Sequence, residues 1–284
     1  MKKTTIYSLL LLSLTASYAE QKNEFDKDWC RDHPHILERI KHRDYSFIIS
    51  EAGDYTCATL DIKRRGKTLF HAEEIGTHYY FGAKHQKNIK PLSHLTADKD
   101  LYFLASEWTG GAHCCFIAHI FRIGKDFKEI AHIDSGDFGF DFSDIDHDGA
   151  PEIILDDNCL KEQFSSFAYS AFGRVILKYD KALDTYRVSS DLMRKSAPKL
   201  NSFSKKIPLW RAEIKKHDNP DWPPPDFVQK VTDLFYTGNK EAALELVNRT
   251  WPKSTMGKDK FLSEYRQALQ ESKFYGDFER QLQP

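Results

Sequence analysis

Short runs of two-residue alternation, spread through residues 44–200 and replaced by a helical period after 226, most limit what this chain can fold into. In residues 55–62 the apolar Ala58, Leu60 and Ile62 fall on one side and Cys57, Thr59 and Asp61 on the other, and Arg64-Arg65-Gly66-Lys67 follows as a turn. An extended chain sends alternate side chains to opposite faces, so this is a half-buried strand entering a hairpin. Further short β-prone runs cover residues 101–105, 115–123, 138–142, 153–155, 175–179 and 186–188, with turn signals between them. Such spacing suits antiparallel sheets or propeller-like blades. The expected fold class is mainly β, with antiparallel sheets in a partial propeller-like arrangement and an α-helical C-terminal region.

The pattern changes at residues 201–226, where lysines and prolines accumulate and Pro220, Pro223, Pro224 and Pro225 can continue neither a helix nor a central strand. Beyond them Phe227, Val231, Leu234 and Phe235 recur at helical spacing. Gly238 supplies a stop, Asn239 can cap the next run through Ala242, Leu246 and Val247, and a third run covers residues 258–273. The expected organisation is a signal peptide at 1–19, an N-terminal segment at 20–43, a β-rich domain at 44–200, a Lys/Pro-rich linker at 201–226 and a helical region at 227–284.

Residues 1–19 read as an export signal: Lys2 and Lys3, then an apolar stretch over residues 6–14, then Ser17-Tyr18-Ala19 as a small-x-small cleavage site. The first cysteine, Cys30, lies too far on for lipid attachment, so a released periplasmic or secreted product is expected. No apolar run reaches the roughly 18–20 residues that span a bilayer. Without Lys2 and Lys3 the formal net charge of −1 becomes −3, and no basic patch is visible, which argues against nucleic acid as a partner. Aromatic residues make up 13% of the chain, bulky surface that a disordered chain lacks.

Export changes how Cys30, Cys57, Cys114, Cys115 and Cys159 are read, because an oxidising compartment favours disulfides. Five is odd, so one thiol stays free, pairs outside the chain or binds something. In a strand Cys114 and Cys115 would point to opposite faces and seek different partners, and Cys57 is a candidate to bridge to one of them. A soft metal site at His113-Cys114-Cys115 and a reactive thiol are the other readings.

The most specific chemistry is Asp144-Ile145-Asp146-His147-Asp148-Gly149-Ala150-Pro151-Glu152. Asp144, Asp146 and Asp148 stand at positions 1, 3 and 5 of a tight loop, Gly149 permits the sharp turn, the Ala150 carbonyl can coordinate, and Glu152 stands at position 9. Hard oxygen donors in this number suit calcium. Position 12 is Leu155 instead of a bidentate glutamate, and apolar residues flank the loop with strand character, so a strand-loop-strand site is expected in place of a helix-loop-helix hand. The other reading is an Asp-rich turn without metal. The run from Phe142 through Ile153 resembles the calcium loop of FG-GAP or VCBS-type repeats, which join strands within blades of integrin-like propellers. More broadly, Tyr55-Thr56-Cys57-Ala58-Thr59-Leu60, Thr109-Gly110-Gly111-Ala112-His113-Cys114-Cys115-Phe116, the Asp loop and Trp251-Pro252 are similar to a family of exported bacterial proteins of unknown function. That likeness implies export and fold, and no activity. In such relatives a second Asp-Gly-rich loop precedes the Gly-Gly-Ala-His-Cys-Cys segment; here Thr96-Ala97-Asp98-Lys99-Asp100 lacks the glycine and one carboxylate.

Enzyme signatures are sparse. There is no Gly-x-Ser-x-Gly elbow or His-Glu-x-x-His helix, and the Ser-x-x-Lys matches at 196–199 and 202–205 have no accompanying Lys-Thr-Gly. Glu107, His113 and Cys114 or Cys115 could form a thiol-imidazole-carboxylate set for an envelope hydrolase or thiol enzyme. The main expectation is a calcium-stabilised binding or envelope-associated protein, whose partner is a protein or an envelope ligand. The exported product should begin at or close to Glu20. Intact-mass analysis reads this directly, and a product that retains residues 1–19 overturns it.

Overall fold

The computed structural model describes residues 34–52, 57–83, 89–98, 100–111, 114–124, 126–216 and 223–277. The expected signal peptide, Cys30, Ala112 and His113 lie outside them, as does residue 99. Three antiparallel sheets follow one another along the chain. The first contains β1 (His35–His42), β2 (Tyr45–Ala52), β3 (Cys57–Arg64) and β4 (Lys67–Ile75). The second contains β5 (His78–Phe81), the short β6 (Leu92–Ser93), β7 (Leu101–Trp108), β8 (Phe116–Ile123) and β9 (Lys128–Asp134). The third contains β10 (Phe140–Ser143), β11 (Glu152–Asp157), β12 (Gly173–Asp180) and β13 (Thr185–Val188). The chain is thus mainly β, with helices after residue 189. At the β3–β4 hairpin Arg65 and Gly66 have φ of 50° and 82°, the left-handed pair whose twist matches the strands it joins. β1 falls inside the expected N-terminal segment 20–43 but pairs along β2, so the end of that segment is a strand of the first sheet.

The second sheet is the middle layer. From β7, Phe103 and Ala105 face the first sheet, where Phe103 stacks on Phe47 at 4.0 Å beside Leu60 and Ile62; Tyr102 and Leu104 face the third, against Ile153 and Val175. Phe47, Phe103 and Phe121 are 0% exposed, each contributing about 1.5–3 kcal/mol of burial. The second sheet thus shares one core with the first sheet and another with the third, and among the described residues no sheet closes into a barrel.

Polar clamps fix the stacking angle. Asp184, in the β12–β13 turn, receives Arg122 from β8 through both guanidinium nitrogens at 2.7 and 3.0 Å, Lys128 from β9 at 2.8 Å and the Tyr179 hydroxyl at 2.7 Å. Thr185 and Tyr186 donate across the same seam to the carbonyls of Ile130 and Leu95. Arg122 alone approaches in the bidentate geometry that suits a carboxylate.

The helices are α1 (Ser190–Met193), α2 (Lys206–Lys216), α3 (Pro225–Tyr236), α4 (Lys240–Thr250) and α5 (Lys258–Gln270). α2 occupies much of the expected linker: Trp210 and Ile214, one helical turn apart, are buried in the same core as Phe227, Val231, Leu246 and Phe261. Pro208 does not break it because it lies in the first turn, where an N–H has no intrahelical partner. Gly238, at φ 76°, ends α3; its N–H reaches the Phe235 carbonyl and that of Asn239 the Leu234 carbonyl, the paired bonds of a Schellman stop. The Asn239 side chain does not cap α4; it donates instead to the carbonyls of Lys195 and Thr237.

The helical region is seated on the third sheet. The Tyr236 ring lies over Gly173, where a methyl group would overlap it. The Tyr236 hydroxyl donates to buried Asp157 at 2.8 Å, and Ser272 donates to the same oxygen. Gln229 exchanges two 3.0 Å bonds with the Phe172 backbone. Among the described residues no helix is long and apolar enough to cross a membrane.

Partial burial works to raise the Asp184 pKa, but bonds from Lys128, Tyr179 and Arg122 hold it down at about 2. Its stabilising effect is therefore present above the unfolded value, roughly 3.9, and is lost as pH falls through about 2. Asp184→Asn tolerates the positive φ of this position and should cost about 1 kcal/mol near neutrality after solvent screening. The difference between variant and parent in urea melts should shrink between about pH 4 and pH 2. A difference that does not vary with pH would show that Asp184 acts through shape alone.

Candidate functional site

The Asp loop joins β10 to β11, which pair from Phe140 opposite Leu155 to Ser143 opposite Glu152. This is the strand-loop-strand setting expected from the flanking apolar residues. His147 and Gly149 take positive φ of 60° and 87°, so the chain doubles back within the loop, and His147 points outward. Local bonds preorganise the carboxylates. Asp144 Oδ2 accepts the Gly149 N–H at 3.2 Å, Asp148 Oδ1 accepts the Ala150 N–H at 2.9 Å, and Glu152 Oε2 accepts the Ile145 N–H at 2.8 Å. Leu155, at position 12, is buried in the core.

Oxygens of Asp144, Asp146 and Glu152 lie within 4.8 Å of one another. Asp148 is tied to them through Lys178 of β12, which sequence reading missed. Its ammonium donates to Asp146 and, at 2.6 Å, to Asp148, and stands 3.8 Å from Glu152. These bonds, to Asp146 first, push the Lys178 pKa up, and the bond from Lys178 pulls that of Asp148 down. Burial raises the pKa of Glu152, which is 1% exposed. A lysine one strand beyond the loop carries no signal in sequence, because the β11–β12 register that brings it near follows a long connection.

Three carboxylates thus face one ammonium, and in the fourth Asp144 Oδ1 is buried without a hydrogen-bond partner. Burying such an acceptor unpaired costs about 1–3 kcal/mol, more when it is charged. An all-oxygen donor set with an orphaned carboxylate oxygen fits a hard divalent cation. A cavity of about 180 Å³ opens beside Asp148, Glu152 and Lys178, and its other wall carries Ala97 and Asp98. The two Asp-containing loops therefore meet in space. Asp98 itself serves its own turn, accepting from the Asp100 N–H and the Tyr102 hydroxyl at 2.9 Å each.

Of the thiol-imidazole-carboxylate set, His113 lies outside the described residues. Glu107 is buried and its carboxylate is bonded to His119 Nε2 at 2.9 Å. Cys114 and Cys115 precede β8 instead of lying in it, and Cys57 is itself disulfide-bonded. Gly110 makes room for its own scaffold: a Cβ there would collide with the Gly76 carbonyl. Cys159 is free, and burial followed by the charge of Asp157 pushes its thiol up to about 12, which leaves little thiolate for nucleophilic chemistry.

No protein-family model matches the chain, and no solved structure matches it. A 92-residue stretch, 31% of this chain, is 34% identical to the uncharacterised protein y4bJ of Sinorhizobium fredii. The aligned stretch spans 14% of that relative's length.

Proposed function

We propose that this is an exported, calcium-stabilised binding or envelope-associated protein whose Asp loop holds the metal and whose partner is a protein or envelope ligand. The unpaired, buried Asp144 Oδ1 carries the reading, because a buried carboxylate oxygen without a donor favours a cation beside it. Asp144, Asp146, Asp148 and Glu152, with the Ala150 carbonyl, would hold calcium, and the ion would tie β10 to β11. Lys178 would release its carboxylates on binding; its side chain is 34% exposed, so the stem can swing toward solvent. A groove of about 640 Å³ between the third sheet and the helices, lined in part by Arg174, Lys230 and Asp233, has the size for a bound small group.

Calcium should raise the melting temperature of the wild-type protein, since a ligand of the folded state adds about 2.7 kcal/mol at a hundredfold excess over Kd. Asp146→Ala should abolish the shift, and magnesium should substitute poorly because its small octahedral shell resists a flexible cage. Calorimetric titration of chelator-treated protein decides this: no response in wild type, or equal responses in both, leaves the loop a plain turn. Lys178→Met separates the two cations. Without calcium it should lower stability by about 1 kcal/mol, roughly 2–4 °C, as the carboxylates repel. It should tighten calcium binding about tenfold, near 1.4 kcal/mol. Unchanged affinity would show that the ammonium does not stand in the ion's place.

A further inference from the structure

A second cluster lies on the second sheet, away from the Asp loop. His119 of β8 is 3% exposed and is held at both nitrogens: Nε2 meets Glu107 Oε2 at 2.9 Å and Nδ1 meets Glu129 Oε1 at 3.0 Å. His132 stands directly opposite His119 in the β8–β9 register, their rings edge to face at 4.8 Å. A register shift between Ile120 and Phe121 brings Glu129, three residues before His132, to the same side, with His132 Nδ1 3.6 Å from Glu129 Oε1.

We infer that His119, Glu129 and His132 form a binding site for a zinc-class transition-metal ion, with Glu107 as the carboxylate that orients His119. This rests on none of the Asp-loop reading. Ligand atoms of the three residues lie within 4.8 Å of one another. Bonds of about 2.1 Å in a tetrahedral shell separate ligand atoms by about 3.4 Å; the observed 3.0 and 3.6 Å bracket that value. Imidazole and carboxylate are donors that zinc and its neighbours accept. Glu107 supplies what metal-bound histidines characteristically have: a carboxylate on the other ring nitrogen, fixing the tautomer that frees Nδ1 for the metal. The ion would take the place of the contact between His119 Nδ1 and Glu129.

The site is graded from inside to outside. His119 and Glu107 are buried, Glu129 is 28% exposed at its side chain, and His132 is 57% exposed. The ion therefore has an entry path, and the outermost ligand is free to close the remaining distance. Three protein ligands leave a coordination position open, as in zinc centres that take water or an exogenous ligand and unlike closed four-ligand structural sites. On the apolar side, the Phe121 ring lies parallel to that of His119 at 6.3 Å.

Zn(II) titration of the chelator-treated protein by calorimetry, repeated with Co(II) by visible absorption, tests the inference. One equivalent should bind in wild type and in Asp146→Ala, which keeps this cluster and disables the Asp loop. His132→Ala and Glu129→Ala, both altered at solvent-reachable side chains, should each lower the affinity at least tenfold, and Glu107→Gln should lower it about 10- to 100-fold while binding persists. Circular dichroism establishes that each variant is folded. Absence of binding in wild type, or Zn(II) affinity unchanged in both His132→Ala and Glu129→Ala, overturns the site; stoichiometric binding lost only in Asp146→Ala assigns the metal to the Asp loop and overturns it equally.

Discussion

Strand β7 is covered on both faces, and the order of the molecule depends on that constraint. Its central residues, from Tyr102 to Glu107, are buried, so neighbours must supply apolar surface on two sides at once. The first sheet does so with Phe47, Leu60 and Ile62 and the third with Ile153, Val175 and Leu177. At about 1.5–3 kcal/mol for each large side chain, this burial outweighs the Asp184 clamp, which sets the angle between layers more than it holds them together. The same strand connects the two candidate ion sites. The turn before it carries Asp98 to the cavity beside the Asp loop, and its far end carries Glu107 behind His119.

What could be read from the sequence follows from which interactions are local. The alternation of Ala58, Leu60 and Ile62 reports burial of one face, and these residues are the inward face of β3. The Asp loop was legible because its turn is specified within nine residues, through Gly149 and the backbone bonds to Asp144, Asp148 and Glu152. α2 was not, since its buried stripe is only Trp210 and Ile214 in a lysine-rich stretch, and tertiary contact with Phe227 makes the helix. The residues that matter most beyond the loop, Lys178 and His119, depend on strand register. His119 meets Glu129 only because β9 shifts register against β8, an event with no local mark.

The junction between sheet and helices shows how buried polar groups specify one arrangement. Asp157 is 2% exposed and accepts from Tyr236 and from Ser272, residues well separated in sequence. An apolar contact would permit the helices to slide over the sheet. A buried carboxylate with two fixed donors does not, because a shift that breaks either bond strands a charge in an apolar setting. Cys159 beside it is drawn into this arrangement through the Tyr236 hydroxyl at 3.3 Å, so the free thiol serves packing.

At both candidate ion sites a nitrogen of the protein already occupies the carboxylates that the proposed ion would take, and that makes binding an exchange. At the Asp loop the charge is the Lys178 ammonium, tethered by a flexible stem; on release it stays protonated and moves outward, so the site gains a divalent ion at the expense of an ion pair. At the second cluster the group is the His119 ring, held between the Glu107 and Glu129 carboxylates. Burial lowers its pKa and the bonds to Glu107 and Glu129 raise it, with a net rise; the ring is buried, so a metal at Nδ1 would take the place of the Glu129 contact. The two exchanges differ in what they leave behind. Release of Lys178 adds entropy to a surface side chain, whereas an ion at Nδ1 leaves His119 fixed by the same Glu107 bond. An ion at the Asp loop would therefore change the order of a loop, while an ion at His119 would enter a framework already rigid before it arrives.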